Sequence, residues 1–194
     1  MRGQPAVFLD RDGTIIEEVS YLDSVGRLKL IARSAEAITI LNEYGFKTVV
    51  ITNQSGVARG YFSESRLEEI HNELVRRLRS YGAILDAVYY CPHHPTEGSL
   101  PYRKICSCRK PAPGLLLKAA EELGLDLFSS YAVGDRFADL ECGQQVGAQG
   151  VLVLTGYGKT EMDSLQETWI SPPSFIAQDL YEAVQWITGQ QKRK

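Results

Sequence analysis

The sequence predicts a doubly wound α/β fold, in which helices cover both faces of a parallel sheet. Short apolar stretches alternate with longer ones in which apolar residues recur every three or four positions. Strands that alternate with helices of this length form parallel sheets with helices on both faces. At 194 residues and 44% hydrophobic content, the chain is long enough for one well-buried domain. We expect this domain to span residues 1–190, followed by a tail at 191–194.

Two helices separate the first three strands. One begins at Ser34, a good N-cap residue, and stops at Gly45. The other begins at Ser63, carries its apolar side chains on one face and stops at Gly82. The strands are apolar, the second is rich in β-branched residues, and we expect them at 6–10, 46–51 and 85–90.

The second half of the chain continues the alternation. Pro113 suits the first turn of a helix, and Gly124 suits its end. Residues 155–173 are rich in polar residues and glycine, so we expect a loop with little fixed structure in its middle. The remaining elements are expected as helices at 113–123, 137–146 and 179–187 and as strands at 131–135 and 150–154.

Composition narrows the classes of partner. The net charge of −3 and the pI of about 5.7 argue against non-specific nucleic-acid binding. The sequence contains neither a secretory core at its start nor an apolar run near the ~20 residues that cross a bilayer. We therefore expect a cytoplasmic protein that binds neither nucleic acid nor membrane. We further expect a monomer that acts on a small molecule, although composition does not determine the oligomeric state.

Polar side chains follow several of the predicted strands. Asp10 and Asp12 come after the first strand, Thr52 and Asn53 after the second, and Asp135 ends the fourth. Carboxyl ends of parallel strands meet at one edge of a sheet, where α/β folds bind ligands. Carboxylates held close together repel unless a cation lies beside them, and aspartate oxygens favour Mg²⁺. The sequence thus predicts a magnesium site at this edge.

Arg109 and Lys110 add fixed positive charge near the same edge. A metal held by acids, with a hydroxyl, an amide and a lysine, is what phosphoryl transfer requires. Each residue also has a structural interpretation: two acids in a surface turn, Thr52 and Asn53 capping a loop, and Lys110 solvated.

Four motifs resemble, in the same order, those of haloacid-dehalogenase-type phosphatases: Asp10-Arg11-Asp12-Gly13-Thr14, Thr52, Lys110, and Gly134-Asp135 with Asp139. The resemblance implies that Asp10 is the nucleophile, forming an aspartyl-phosphate, and that Asp12 is the general acid and then the base. It also implies that Thr52 holds a phosphoryl oxygen and that Lys110 neutralises the reacting pair. Asp135 would bind Mg²⁺ together with Asp10 and the carbonyl of Asp12.

Residues 91–109, which we call the Cys/His loop, form a long segment without a strand or helix pattern. Cys91, His93, Cys106 and Cys108 supply three thiols and an imidazole, the donor set of a closed structural zinc site. A loop this long is unusual in a compact domain unless it is functional or held by a metal. We therefore expect Zn²⁺, with buried free thiols as the alternative.

Four other residues have less defined expectations. Cys142 lies in a predicted helix far from the other thiols and is expected in the core. His71 is expected at the surface or in packing. His94 is not expected to share the zinc, because adjacent residues seldom both reach one ion. Asp139 is expected either on the magnesium or beside its ligands.

Three longer segments resemble the branch of heptose 1,7-bisphosphate and histidinol phosphatases: residues 52–60, Cys91-Pro92-His93 and Cys106-Ser107-Cys108-Arg109-Lys110-Pro111. The resemblance extends to about residue 155 and is closer to the heptose enzymes. These remove the 7-phosphate of D-glycero-D-manno-heptose 1,7-bisphosphate, on the route to activated heptose for bacterial surface polysaccharide. It implies substrate contacts from Glu18, Tyr21, Asn53, Gln54, Ser55, Arg59 and Arg109. Ser20 departs from the branch, which commonly has a glycine before the tyrosine.

The spacing between Asp12 and Thr52 leaves room for one helix and one strand, and so for no inserted cap domain. Substrate contact must then come from the Cys/His loop and from residues 18–21. We expect zinc to hold Arg109 and Lys110 in place. A histidinol-phosphate phosphatase and a catalytically inactive zinc-bearing binding module remain alternatives, and a nucleic-acid 3′-phosphatase is disfavoured because no basic groove is visible.

Overall fold

A parallel six-stranded sheet runs through the computed structural model, which describes residues 3–165 and 171–191. The strands are β1 (Ala6–Leu9), β2 (Lys47–Asn53), β3 (Ala87–Cys91), β4 (Tyr131–Gly134), β5 (Gln149–Val153) and β6 (Phe175–Ala177). The helices are α1 (Ser34–Glu43), α2 (Glu64–Ser80), α3 (Gly114–Leu123), α4 (Phe137–Gln144), α5 (Gly158–Leu165) and α6 (Leu180–Gln191).

The strand order is β3-β2-β1-β4-β5-β6, and every pair is parallel. From β1 the chain builds outward to β2 and β3, and it then returns to add β4, β5 and β6 on the other side. This change of direction leaves a crevice at the carboxyl ends of β1 and β4, where open α/β sheets bind ligands. The predicted doubly wound fold is confirmed.

The residues of β1 alternate between two cores, one on each face of the sheet. Val7 and Leu9 face the larger core, which includes buried side chains from α1, α2 and α6. Ala6 and Phe8 face the smaller core, built with α3 and with Cys142 of α4. Because β1 is buried on both faces, its sequence is a continuous apolar run rather than an alternating one.

The structure corrects the expected loop at 155–173. Residues Gly158–Leu165 form α5, although this segment contains few apolar residues that would mark a helix in the sequence. Strand β6, at Phe175–Ala177, has only three residues, which is too short for a recognisable pattern. The middle of the expected loop, at 166–170, lies outside the described residues.

The helix ends agree in part with their predicted caps. The hydroxyl of Ser63 accepts the backbone N–H of Arg66 and caps α2 as expected. Ser34 is instead the first residue of α1, and the N-cap is Arg33, whose φ of 63° is left-handed. The last helix continues to Gln191, beyond its expected end at residue 187, and residues 192–194 are outside the described part.

Within residues 3–165 and 171–191, no helix is both long enough and apolar enough to cross a membrane.

Candidate active site

A cavity of about 490 Å³ opens at the carboxyl edge of the sheet. Asp10 and Asp12 enter it directly after β1, and Lys110 enters it from the segment before α3. Asp139, on the first turn of α4, completes this group of charged side chains. The predicted convergence of strand-end acids and Lys110 is therefore present in the structure.

Lys110 is the centre of the charge network. Its Nζ lies 2.7 Å from Asp10 Oδ1 and 2.6 Å from Asp139 Oδ1, and it donates to the carbonyl of Ile51 at 2.7 Å. Asn53 fixes the Lys110 backbone, accepting its N–H and donating to its carbonyl, both at 3.1 Å. The Lys110 side chain is 4% exposed, so its ammonium group is held in one position rather than solvated.

Asp135 sits in a cradle made by two glycines. A Cβ on Gly13 or on Gly156 would lie 2.1 Å from Asp135 Oδ2, and both glycines have positive φ. The backbone N–H of Tyr157 donates to the same oxygen at 2.8 Å. Any side chain at either glycine would therefore displace the carboxylate.

The carboxylate set fits a divalent cation. Oxygens of Asp10, Asp135 and Asp139 lie within 4.8 Å of one another. Burial raises the pKa of Asp10 to about 7 against the opposing charge of Lys110, and burial with the charge of Asp10 raises the pKa of Asp135 to about 8. One lysine cannot neutralise three carboxylates, and oxygen donors are the ligands that Mg²⁺ prefers.

The pKa of Lys110 is raised despite its burial. Burial alone favours the neutral amine, but the negative charges of Asp10 and Asp139 more than offset this effect. The lysine is therefore positively charged across the physiological range, next to the oxygen of Asp10.

Asp12 is held by a second network, centred on Arg11. The Arg11 guanidinium is fully buried and donates from Nε and Nη2 to the two carboxylate oxygens of Asp12, at 3.1 and 3.0 Å. Gln54 accepts from Arg11 Nη2 and donates to Asp12 Oδ2 at 2.8 Å and to Thr52 Oγ1 at 2.8 Å. The side chain of Asp12 is thus oriented by its neighbours.

Sequence reasoning missed Arg11. In the sequence it looks like a surface arginine, and only the fold places Gln54, the residue after β2, beside it. The signal present in the sequence was its position between two acids at a strand end. Thr52 is 1% exposed and does not itself line the cavity; its hydroxyl accepts from Gln54, which does.

The Cys/His loop brings its four predicted ligands together. Donor atoms of Cys91, His93, Cys106 and Cys108 lie within 4.8 Å of one another. The Sγ atom of Cys108 is 3.2 Å from that of Cys91 and 3.1 Å from that of Cys106, and none of the thiols is in a disulfide. Three sulfurs and one imidazole nitrogen converging on one point are the donor set of a tetrahedral zinc site.

The loop is connected to the active site at its end. Arg109 donates from Nη1 to the carbonyl of His93 at 3.0 Å, and the next residue is Lys110. His94 stays outside the cluster as expected, and Cys142 is buried in the smaller core. His71 is also buried, packed beside Tyr90, which favours the packing alternative.

All seven predicted substrate-contact residues line the cavity: Glu18, Tyr21, Asn53, Gln54, Ser55, Arg59 and Arg109. Ser20 lies there too, with a φ of 64°, a conformation that glycine adopts more readily. Its backbone N–H donates to the carboxylate of Glu18. Serine therefore keeps the backbone shape expected of a glycine at this departure from the branch.

Three further lining residues with polar or aromatic side chains were not predicted. His94 comes from the Cys/His loop, and Arg136 and Tyr157 come from the β4 and β5 ends of the site. The guanidinium of Arg136 lies 3.8 Å from the centre of the Tyr157 ring. Their positions depend on how loops pack together, which no local pattern records.

Comparison with known proteins gives one consistent group. The HAD-hydrolase-like family model matches residues 107–183. The D-glycero-D-manno-heptose-1,7-bisphosphate 7-phosphatase of Thermosynechococcus vestitus is 40% identical over 188 residues, covering 95% of each chain. The D-glycero-beta-D-manno-heptose-1,7-bisphosphate 7-phosphatase of Escherichia coli K12 is 38% identical over 190 residues, covering 97% of this chain and 96% of the relative.

Solved structures agree. The D,D-heptose 1.7-bisphosphate phosphatase from B. bronchiseptica, complexed with magnesium and phosphate, superposes with a TM-score of 0.85 at 31% identity. The alignment covers 96% of this chain and 99% of that one. The D,D-heptose 1,7-bisphosphate phosphatase from Burkholderia thailandensis has a TM-score of 0.68 at 30% identity, covering 94% and 97% of the two chains.

Proposed function

The chain belongs to the haloacid-dehalogenase-like hydrolases, and from that premise we propose that it removes the 7-phosphate of D-glycero-D-manno-heptose 1,7-bisphosphate with Mg²⁺. The reaction would serve the synthesis of nucleotide-activated heptose. The observation that carries the chemistry is Lys110 bridging Asp10 and Asp139, with Asp135 in the same cluster. The substrate is proposed from relatives that match nearly the whole chain.

In the first step, a carboxylate oxygen of Asp10 attacks phosphorus in line with the bond to the sugar oxygen. The phosphorus–sugar bond breaks as the aspartyl-phosphate forms, and Asp12 gives its proton to the departing oxygen. Lys110 and Thr52 hold the transferring phosphoryl oxygens. The magnesium ion, when bound, neutralises charge on those oxygens.

In the second step, Asp12 acts as the base. Its carboxylate takes a proton from a water molecule, whose oxygen attacks the phosphorus of the aspartyl-phosphate. The bond from phosphorus to Asp10 breaks, and phosphate and the free carboxylate result. Arg11 and Gln54 serve as positioning residues, because their hydrogen bonds set the direction of the Asp12 carboxylate.

We assign the magnesium ligands as the carboxylates of Asp10 and Asp135 with the carbonyl of Asp12. Asp139 has two other partners, the ammonium of Lys110 and the backbone N–H of Arg136, which it accepts at 3.0 Å. These contacts support a role beside the ligands rather than on the ion.

We assign Zn²⁺ to Cys91, His93, Cys106 and Cys108, with a structural role. Four protein donors fill the tetrahedral coordination of zinc and leave no position for water or substrate, as in structural rather than catalytic sites. Because Arg109 binds the His93 carbonyl, an ordered loop would fix both Arg109 and Lys110.

The remaining cavity residues are proposed to contact the sugar and its second phosphate: Glu18, Tyr21, Ser55, Arg59 and Arg109, with Asn53 and Gln54 behind them. Asn53 already hydrogen-bonds to Lys110, and Gln54 to Asp12. These two residues would therefore both contact the substrate and hold the reacting groups in place.

A phosphoester panel with Mg²⁺ tests the proposal. It contains both anomers of heptose 1,7-bisphosphate, histidinol phosphate and simple sugar monophosphates. We expect the highest kcat/KM for a heptose bisphosphate, and Asp10→Asn as the control removes it. A preference for histidinol phosphate would replace the substrate assignment, and no turnover of any ester would favour the binding-module alternative.

A further inference from the structure

Two backbone N–H groups determine which nitrogen of His94 carries its proton. Thr96 and Glu97 direct their N–H groups at His94 Nδ1, at 3.3 and 2.9 Å. A ring nitrogen that accepts hydrogen bonds has no proton, so the neutral imidazole carries it on Nε2. The opposite tautomer would lose both bonds to gain a single one from Arg59.

The Nε2–H group of His94 meets another donor. Arg59 Nη2 lies 3.2 Å from His94 Nε2, and both residues line the active-site cavity. Arginine has only donors, so in this tautomer the pair cannot hydrogen-bond to each other. A single oxygen of an anion placed beside both would accept from both, and the guanidinium charge would strengthen the contact.

The arrangement is built by close packing of two loops. Gly98 has a φ of 82°, and a Cβ there would lie 1.7 Å from the carbonyl oxygen of Ala58, the residue before Arg59. The turn that begins at His94 therefore rests directly on the backbone that carries Arg59. Glycine permits both the conformation and the contact.

One acidic group competes for the arginine. Glu97 Oε2 lies 3.6 Å from Arg59 Nη1, and its side chain is 54% exposed. Arg59 Nε is buried and, within the described residues, has no acceptor. The guanidinium is thus incompletely paired, and its Nη2 group is left facing His94.

We propose that His94 and Arg59 form an anion subsite that binds the uncleaved phosphate of a bisphosphate substrate. The identity of this ligand rests on the proposed function, and the inference adds His94 to the residues that select the substrate. A phosphomonoester has no group that uses this pair. Selection for a bisphosphate therefore depends on His94 and Arg59 more than the cleavage step does.

The test compares matched bisphosphates and monophosphates: heptose 1,7-bisphosphate with heptose 7-phosphate, and a series of α,ω-alkanediol bisphosphates with their monophosphates. The readout is the ratio of the two kcat/KM values within each pair. For His94→Ala and Arg59→Ala we expect this ratio to fall by about 10- to 100-fold, the range for a lost hydrogen bond to a charged group. His94→Gln, which keeps a donor of similar reach, should recover part of it.

Glu97→Gln should instead raise the ratio of kcat/KM for the bisphosphate to that for the monophosphate, because it removes the carboxylate that competes with the substrate phosphate for Arg59. Lys104→Ala is the matched control, since it removes a positive charge from an exposed part of the same loop that does not line the cavity. A merely structural role for His94 would lower both kcat/KM values equally and leave the ratio constant, which would overturn the subsite.

The same data separate this inference from the proposed substrate. If an alkanediol bisphosphate outperforms heptose 1,7-bisphosphate while the ratio still depends on His94 and Arg59, the subsite is supported and the heptose assignment fails. If the wild-type enzyme shows no preference for bisphosphates over monophosphates, the subsite is refuted.

Discussion

The carboxylate cluster and the Cys/His cluster both suit a metal ion, but they are held in different ways. Asp10 and Asp135 follow β1 and β4 of a buried sheet. Protein groups alone hold them in place: Lys110 pairs with Asp10, and Gly13 and Gly156 pack against Asp135. The Cys/His ligands lie where β3 ends and in a segment whose only regular pairing is an isolated bridge between residues 94 and 103.

The comparison separates two uses of a metal. At the sheet edge the fold positions the ligands and the ion would supply charge. In the Cys/His loop, His93, Cys106 and Cys108 lie outside any strand or helix, so the ion would take the place of the missing secondary structure. Loss of metal from the first site should therefore affect chemistry, whereas loss from the second should affect shape and then chemistry.

Asp10→Asn is expected to have the largest effect on the carboxylate side of this comparison. The amide cannot attack phosphorus, and we expect kcat to fall by about 10⁴-fold or more, as when other nucleophiles are removed. Steady-state turnover measures the change, and circular dichroism checks the fold. Measurable steady turnover by a correctly folded variant would reject the nucleophile assignment.

Asp12→Asn should be severe but smaller, with a loss of about 10²–10⁴-fold for an alkyl phosphate. Aryl phosphates such as p-nitrophenyl phosphate have a leaving group that needs little protonation. Their first step should therefore be less affected in single-turnover measurements. An equal loss of that step for both ester types would argue against Asp12 as the general acid.

Cys108→Ser tests the other side of the comparison. We expect loss of zinc and a melting temperature lower by about 10 °C, because losing a metal can destabilise by about 4 kcal/mol or more and each kcal/mol lowers the melting temperature by about 2–4 °C in a chain of this length. Activity should fall with it, because Arg109 and Lys110 follow the loop. Cys142→Ala is the control, since that thiol lies in the same smaller core but is not one of the four converging donors. Zinc content and melting curves are the measurements. Unchanged folding and activity without zinc would refute the structural role.

The smallest effect concerns pH and magnesium. Burial raises the pKa of Asp10 to about 7 and of Asp135 to about 8, so the folded protein binds these protons more tightly than the unfolded chain. Their contribution to stability is present below about pH 4 and is lost as the pH rises through about 7 to 8. Magnesium binding should reverse this loss.

The measurement is the melting temperature of zinc-loaded protein with and without Mg²⁺ between about pH 5 and pH 8. The stabilisation by Mg²⁺ should be larger at the higher pH, and Asp135→Asn should reduce the difference. A magnesium-free protein that becomes more stable across this range would contradict the account of the carboxylate cluster.

Much of the fold and the site could be predicted because the responsible signals are local. Apolar runs with acids at their ends identified β1 and β4, and parallel pairing then required Asp10 and Asp135 to meet. The thiols and imidazole of the Cys/His loop were predicted from ligand chemistry alone. These features do not depend on knowing how distant loops pack.

The rest depends on tertiary contacts. Helix α5 has a weakly apolar sequence, and β6 is a strand only because it adds three residues to the edge of β5. Arg11 is buried only once Gln54 lies beside it. His94 faces Arg59 only because Gly98 allows the loop to rest on Ala58. No pattern within one segment contains such information.

Chemical trapping tests the central claim, that Asp10 carries the phosphoryl group, most directly. Enzyme that is turning over heptose 1,7-bisphosphate is quenched with borohydride, which reduces an acyl phosphate to an alcohol. Peptide mass spectrometry should then find homoserine in place of aspartate at residue 10, and no change in Asp10→Asn or without substrate. An unmodified Asp10 in enzyme trapped during full turnover, or modification at Asp12 instead, would contradict the mechanism.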